Sequence, residues 1–221
     1  MTNTIICQIY LFVVIKQHKY WMKLYHLLDV TLLASVQAKV LDMFEKDETY
    51  RSQIALFYPK NAREIRDVPE IKDFLNEVGL YDGVVSVAFN IMLPGKKFSI
   101  HTDSNNFTYS LNIPIASYDD SKVSFYTNST KSNNTLTFDS TQHNTRVSAN
   151  EFIDEECVLI EEVTPLVPYI LNTSVPHRVT NGPNSTRIMM LCRLDPKLDT
   201  LICERYGFDT MTWMRNHTNP L

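Results

Sequence analysis

The sequence predicts a mostly-β protein with helices gathered in its N-terminal third, and three observations carry that reading. From Gly83 onward, eight or nine short stretches rich in β-branched and aromatic residues follow one another, punctuated by Asn, Asp, Gly and Pro. Before Gly83, apolar residues recur instead at helical spacing. Strands this short and this regularly spaced suggest a sandwich, jelly roll or barrel rather than a parallel α/β sheet.

The elements follow in order. Ile5–Ile15 is strongly apolar but only 11 residues long, and a membrane span needs roughly 20. No cationic stretch precedes it and no small-residue cleavage site follows, so it reads as a buried strand. Val30–Phe44 has helical periodicity after Asp29, a suitable N-cap. A polar break at Glu45–Asp47 separates it from a strand over Arg51–Tyr58. Val68–Val78 reads as a second amphipathic helix, with Pro69 at its start and Gly79 just past its end. Strands are then expected over Val84–Met92, Lys97–Thr102, Phe107–Ala116, Lys122–Thr127, Thr135–Asp139, Cys157–Glu162, Leu166–Asn172, His177–Thr180 and Arg187–Leu194, with a short helix over Asp199–Phe208. Thr127–Asn150 is polar and poor in large apolar residues. It reads as an exposed hairpin and a candidate lid or recognition loop. The expected organisation is one domain over 1–221: a supporting region 1–82, a β core 83–195 and a tail 196–221.

Composition narrows the function. Lys and Arg total 21 against 25 Asp and Glu, a net charge of −4, whereas a non-specific nucleic-acid binder carries a basic surface. The four cysteines show no C-x-x-C spacing and read as free thiols of a reducing compartment. The Asn-x-Ser/Thr triplets are by-products of an Asn-, Thr- and Ser-rich chain. A cytoplasmic location is expected, and few glycines beside many asparagines hint at an AT-rich, viral coding source.

The string FSIHTD, Phe98–Asp103, carries the chemistry. His101 and Asp103 are two apart and share one face of a strand. His177 lies 74 residues beyond Asp103 at the start of another expected strand. Two imidazoles and one carboxylate make the facial set that holds non-haem Fe(II) with open positions. Arg187, ten residues after His177, offers a bidentate fork for a carboxylate. A dicarboxylate held by a metal at one end and by arginine at the other is the geometry 2-oxoglutarate requires. His143 lies in the polar insertion and reads as solvent-exposed rather than as a ligand, and His18, His26 and His217 show no partner spacing.

This pattern resembles the Fe(II)/2-oxoglutarate-dependent dioxygenases. The run NIMLPGKKFSIHTD, Asn90–Asp103, is similar to their AlkB branch, and Arg187 and Arg193 repeat that branch's two arginines six apart. Met92 stands where that branch has tyrosine, and the interval from His177 to Arg187 is nearer the prolyl-hydroxylase pattern. The resemblance covers about half the chain, Gly83 to Leu194. It implies a double-stranded β-helix (jelly-roll, cupin-like) core with flanking N-terminal helices. It implies His101, Asp103 and His177 as iron ligands and Arg187 on the distal carboxylate, with Asn90, Tyr109 and Arg193 in the co-substrate pocket. Tyr109 and Asn112 point to opposite faces of their strand, and Tyr109 is expected in the pocket. The implied activity is hydroxylation or oxidative demethylation with 2-oxoglutarate and O2 as partners. A protein side chain or small molecule is favoured over nucleic acid as prime substrate, with no membrane span. The alternative is a non-catalytic cupin-type or viral jelly-roll module.

Overall fold

The computed structural model describes residues 23–48, 55–57, 62–103, 107–127, 131–140 and 145–208. The strand expected over Ile5–Ile15 and the histidines His18, His143 and His217 lie outside the described residues, as do the ends of the strand expected over Arg51–Tyr58.

Four helices are described: α1 (Leu33–Lys46), α2 (Ala62–Arg66), α3 (Pro69–Glu77) and α4 (Asp199–Tyr206). The strands are β1 (Tyr25–Leu27), β2 (Ala55–Phe57), β3 (Val84–Met92), β4 (His101–Thr102), β5 (Tyr109–Ala116), β6 (Lys122–Thr127), β7 (Lys131–Ser140), β8 (Thr145–Phe152), β9 (Val158–Val163), β10 (Tyr169–Asn172), β11 (His177–Thr180) and β12 (Arg187–Leu194). They form two six-stranded antiparallel sheets. The major sheet has the order β1-β10-β5-β12-β3-β2 and the minor sheet β7-β8-β4-β11-β6-β9. Eight strands make the core: β3, β12, β5 and β10 face β4, β11, β6 and β9, with successive strands crossing between sheets except at β6 and β9. This is a double-stranded β-helix, the jelly-roll arrangement. β1 and β2 extend the two edges of the major sheet, and the β7–β8 hairpin, which occupies the polar insertion, extends the minor sheet beside β4.

Alternation along the strands sorts the major sheet into two unlike faces. Val87, Phe89 and Ile91 of β3, Leu111 and Ile113 of β5 and Met190 and Cys192 of β12 share the face covered by helices, where Val36, Val40 and Phe44 of α1 and Ile71, Phe74 and Leu75 of α3 meet them. Fully burying side chains of this size contributes roughly 1.5–3 kcal/mol each. The opposite face, turned toward the minor sheet, carries Asn90, Met92, Asn112, Met189 and Arg187.

Helix α1 departs from expectation at its start. It begins at Leu33 after Leu32, not after Asp29, and no side chain of its own caps it. Glu77, the last residue of α3, does so from outside: its carboxylate accepts from Thr31 N at 2.7 Å and Leu32 N at 3.2 Å. These bonds hold the Glu77 carboxyl below its usual range, and a negative charge at a helix N-terminus is favourable there. Just past that same end of α3, Gly79 takes φ +67°, the left-handed conformation that stops the helix. Strand β4 is only two residues, shorter than the expected Lys97–Thr102, although Lys97 makes an isolated bridge to Thr180.

Candidate metal and carboxylate site

His101 and His177 are directly opposite one another in the β4–β11 ladder, so their side chains leave the same face of the minor sheet. Their rings lie 4.6 Å apart, centroid to centroid. Asp103, two residues on, brings Oδ1 to 3.7 Å from His101 Nε2, and its backbone N–H is held by Thr173 O at 3.0 Å. One donor atom from each of the three residues lies within 4.8 Å of the others, and among the described residues this is the one such group.

Both imidazoles are oriented in the same way. His101 Nδ1 is 2.8 Å from Ser99 O and His177 Nδ1 is 2.8 Å from Val175 O, each a carbonyl two residues earlier. A carbonyl only accepts, so each Nδ1 carries a proton, which in a neutral ring leaves the lone pair on Nε2. His177 is 3% exposed. Burial, reinforced by the neighbouring His101 and opposed by Asp103, holds its pKa below the ordinary imidazole value and keeps it neutral, as a metal ligand must be. Two imidazoles and a carboxylate suit a divalent first-row metal with open positions.

Arg187 opens β12 on the inner face of the major sheet and is 2% exposed. Its NH1 donates to Asn90 Oδ1 at 3.2 Å and lies 3.6 Å from Met92 Sδ. The Tyr169 hydroxyl, reaching in from β10, interacts with it electrostatically. Its Nε has no partner, and among the described residues no carboxylate pairs with it. Burial lowers the pKa of the guanidinium, with Tyr169 opposing, yet arginine stays charged in proteins. A buried cation without an anion is costly, so the surroundings are complementary to a carboxylate the protein does not itself supply.

The structure brings His101, Asp103 and His177 together, and Asn90 to Arg187. Tyr109 is a correction. It shares the helix-covered face of β5 with Leu111 and Ile113, its hydroxyl 3.4 Å from Cys203 Sγ and its ring 4.9 Å from that of Phe208. Asn112 takes the inner face instead, opposite Tyr169 and Leu191, its Nδ2 donating to Ser110 Oγ at 2.9 Å. The series Tyr109, Leu111, Ile113, Ile115 already placed Tyr109 with the apolar set. Arg193 faces inward like Arg187 but stands six residues along β12, roughly 20 Å away at strand rise. Its guanidinium lies 5.0 Å from the Phe107 ring centroid, at the end of the barrel where Thr173 holds both Phe107 and Asp103. Tyr169 escaped the sequence reading because nothing local marks it; its contact with Arg187 crosses two strand spacings.

Among solved structures the chain is similar to a prolyl-4-hydroxylase from Pseudomonas putida, at 14% identity over 74% of this chain and 81% of that one, with a TM-score of 0.37. It is also similar to AviO1 from Streptomyces viridochromogenes, at 13% identity over 79% and 91%, with a TM-score of 0.40. No family model and no curated protein matches the sequence. The fold assignment rests on the strand order itself. No described helix is long and apolar enough to cross a membrane.

Proposed function

We propose that the protein is an Fe(II)- and 2-oxoglutarate-dependent oxygenase that hydroxylates or oxidatively demethylates its substrate. One observation carries the proposal: a buried arginine with an orphaned Nε and no acid partner lies on the face of the barrel opposed to a His-Asp-His cluster. The donor set fits the two groups. His101, Asp103 and His177 would hold the metal on one side and leave positions open on the other. Arg187 would bind the distal carboxylate of the co-substrate. Fe(II), loaded with 2-oxoglutarate and O2, supplies the oxidising chemistry.

The chain's own residues do the rest. The two Nδ1–H groups keep the imidazoles turned so that Nε2 faces the cluster. Arg187 donates to Asn90 Oδ1 and lies in electrostatic reach of the Tyr169 hydroxyl, so the Asn90 amide N–H groups and the phenol proton are further donors toward a carboxylate. Asn112, Met189 and Leu191 line the same inner face. Arg193 is a candidate for the carboxylate at the metal end. The acidic net charge favours a protein side chain or a small molecule over nucleic acid as prime substrate.

Anaerobic titration with Fe(II) and 2-oxoglutarate tests this. The weak visible charge-transfer band of the chelated complex is expected in the wild type and absent in Arg187→Ala and His177→Ala. A folded, metal-loaded protein with no band in any form would exclude the oxygenase and leave a non-catalytic cupin-type module.

A further inference from the structure

Strand β4 has a single ladder pair with β11, His101 opposite His177. Two residues cannot hold their own register, so the spacing of the two imidazoles depends on what flanks them. One neighbour is β8, where His101 faces Glu151 and Thr102 faces Asn150, and Phe152 N donates to Ile100 O at 2.9 Å. Arg178 provides the other support. It follows His177 by one position and therefore leaves the outer face of the minor sheet, where its side chain is 13% exposed.

There Arg178 joins three separate pieces. Its Nε donates to Phe98 O at 2.9 Å, on the segment leading into β4. Its NH2 donates to the carboxylate of Asp154, two residues past the end of β8. Its guanidinium lies 5.8 Å from the Tyr126 ring centroid on β6. Phe98 N donates in turn to Val179 O at 2.9 Å, and the Phe98 ring meets the His101 ring edge-on at 6.2 Å. The segment before the first histidine is thus tied to the strand of the second and the residue after it by two backbone bonds, Phe98 N to Val179 O and Asn181 N to Lys96 O, and by one guanidinium bond.

We propose that Arg178 is a positioning residue for the metal centre. It sets the spacing of His101 and His177 from behind the sheet and, through Asp154, links that spacing to the base of the β7–β8 hairpin. The role rests on the metal-binding reading above. A planar fork that bonds in two directions while stacking on a ring has no lysine equivalent, and residues that support ligands from outside typically cost 10–100-fold in metal affinity when lost.

The test is anaerobic Co(II) titration of the full chain, followed by visible absorption, with a melt of each metal-free variant. Arg178→Gln is expected to weaken Co(II) binding about 10-fold or more, with altered band positions. Arg178→Lys should recover only part of the loss, and Asp154→Asn should show a smaller one. Lys122→Gln breaks another outer-face ion pair of the same sheet, Lys122–Glu162, and should leave Co(II) affinity unchanged. Wild-type affinity in Arg178→Gln, or an equal loss in Lys122→Gln, would overturn the role. If Arg178→Gln does not fold, Asp154→Asn decides, and unchanged affinity there overturns the link to the hairpin. A wild type that takes up no Co(II) removes the metal reading as well as this role.

Discussion

The two faces of the major sheet are both largely buried and are chemically opposite. Along β3, Val87, Phe89 and Ile91 enter the helix-covered side while Ala88, Asn90 and Met92 face the barrel. Along β12, Met190 and Cys192 go one way and Arg187 and Met189 the other. One face is a hydrophobic core with little to satisfy. The other holds two guanidiniums, two carboxamides and a phenol where a fold seeking only stability would hold leucine. Low exposure alone therefore says little about role. A buried polar residue whose hydrogen bonds are incomplete points to a ligand.

That contrast can be broken from either side. The largest effect is expected from Phe89→Ala on the helix face, where the ring is fully buried and meets Phe44 edge-on at 5.2 Å. It should cost about 3–5 kcal/mol in urea unfolding without removing metal uptake under native conditions. Arg187→Met on the inner face should do the reverse. Stability of the metal-free protein should hold or rise, because an uncompensated buried charge is gone, while 2-oxoglutarate affinity falls about 100-fold, on the scale of a lost buried charge pair. Isothermal titration beside urea melts separates the two.

Acid is the next probe. The His177 pKa is lower in the folded protein than the ordinary 6.5, so below pH 6.5 the unfolded chain binds the proton that the folded one refuses. Stability of the metal-free protein should therefore fall as pH drops from that value, and level off once folded His177 also protonates. The loss should be on the order of 1–3 kcal/mol, each tenfold in proton affinity being worth about 1.4. Urea midpoints across this range, compared with His177→Asn, check it; an equal slope in the variant would assign the effect elsewhere. The smallest effect belongs to Tyr169→Phe, which should weaken 2-oxoglutarate about 10-fold, one charge-assisted hydrogen bond. It should leave unchanged the affinity for 2-oxopentanoate, which lacks the distal carboxylate.

What the sequence made legible was local. His101 and Asp103 share a face because of the strand period, and Asn90 falls on the same side of β3 as Met92, opposite Arg187. Alternation and turn residues located most core strands within a few positions. Long-range placement was not legible. Nothing around Tyr25–Leu27 announces an edge strand, since its ladder partner among the described residues lies far away at Tyr169–Leu171. Nothing near Tyr169 names Arg187. Tyr109 is a local matter instead: it belongs to the i, i+2 apolar series with Leu111, Ile113 and Ile115, and that series goes to the helix face. The N-cap at Asp29 failed because Glu77, distant in sequence, supplies the cap in its place.

The position of β12 has a consequence for how the chain comes into being. It is the last strand among the described residues and sits between β5 and β3 near the middle of the major sheet. Until it has been synthesised, β3 and β5 have no common partner, and the hydrogen-bonding edges that face it stay open. Such long-range pairing is slow and leaves unfinished sheets exposed to aggregation. Arg187 is the first residue of that strand. A nascent chain stalled before residue 187 would lack both the keystone of its sheet and its carboxylate anchor, so assembly of the barrel and completion of the site are one late event.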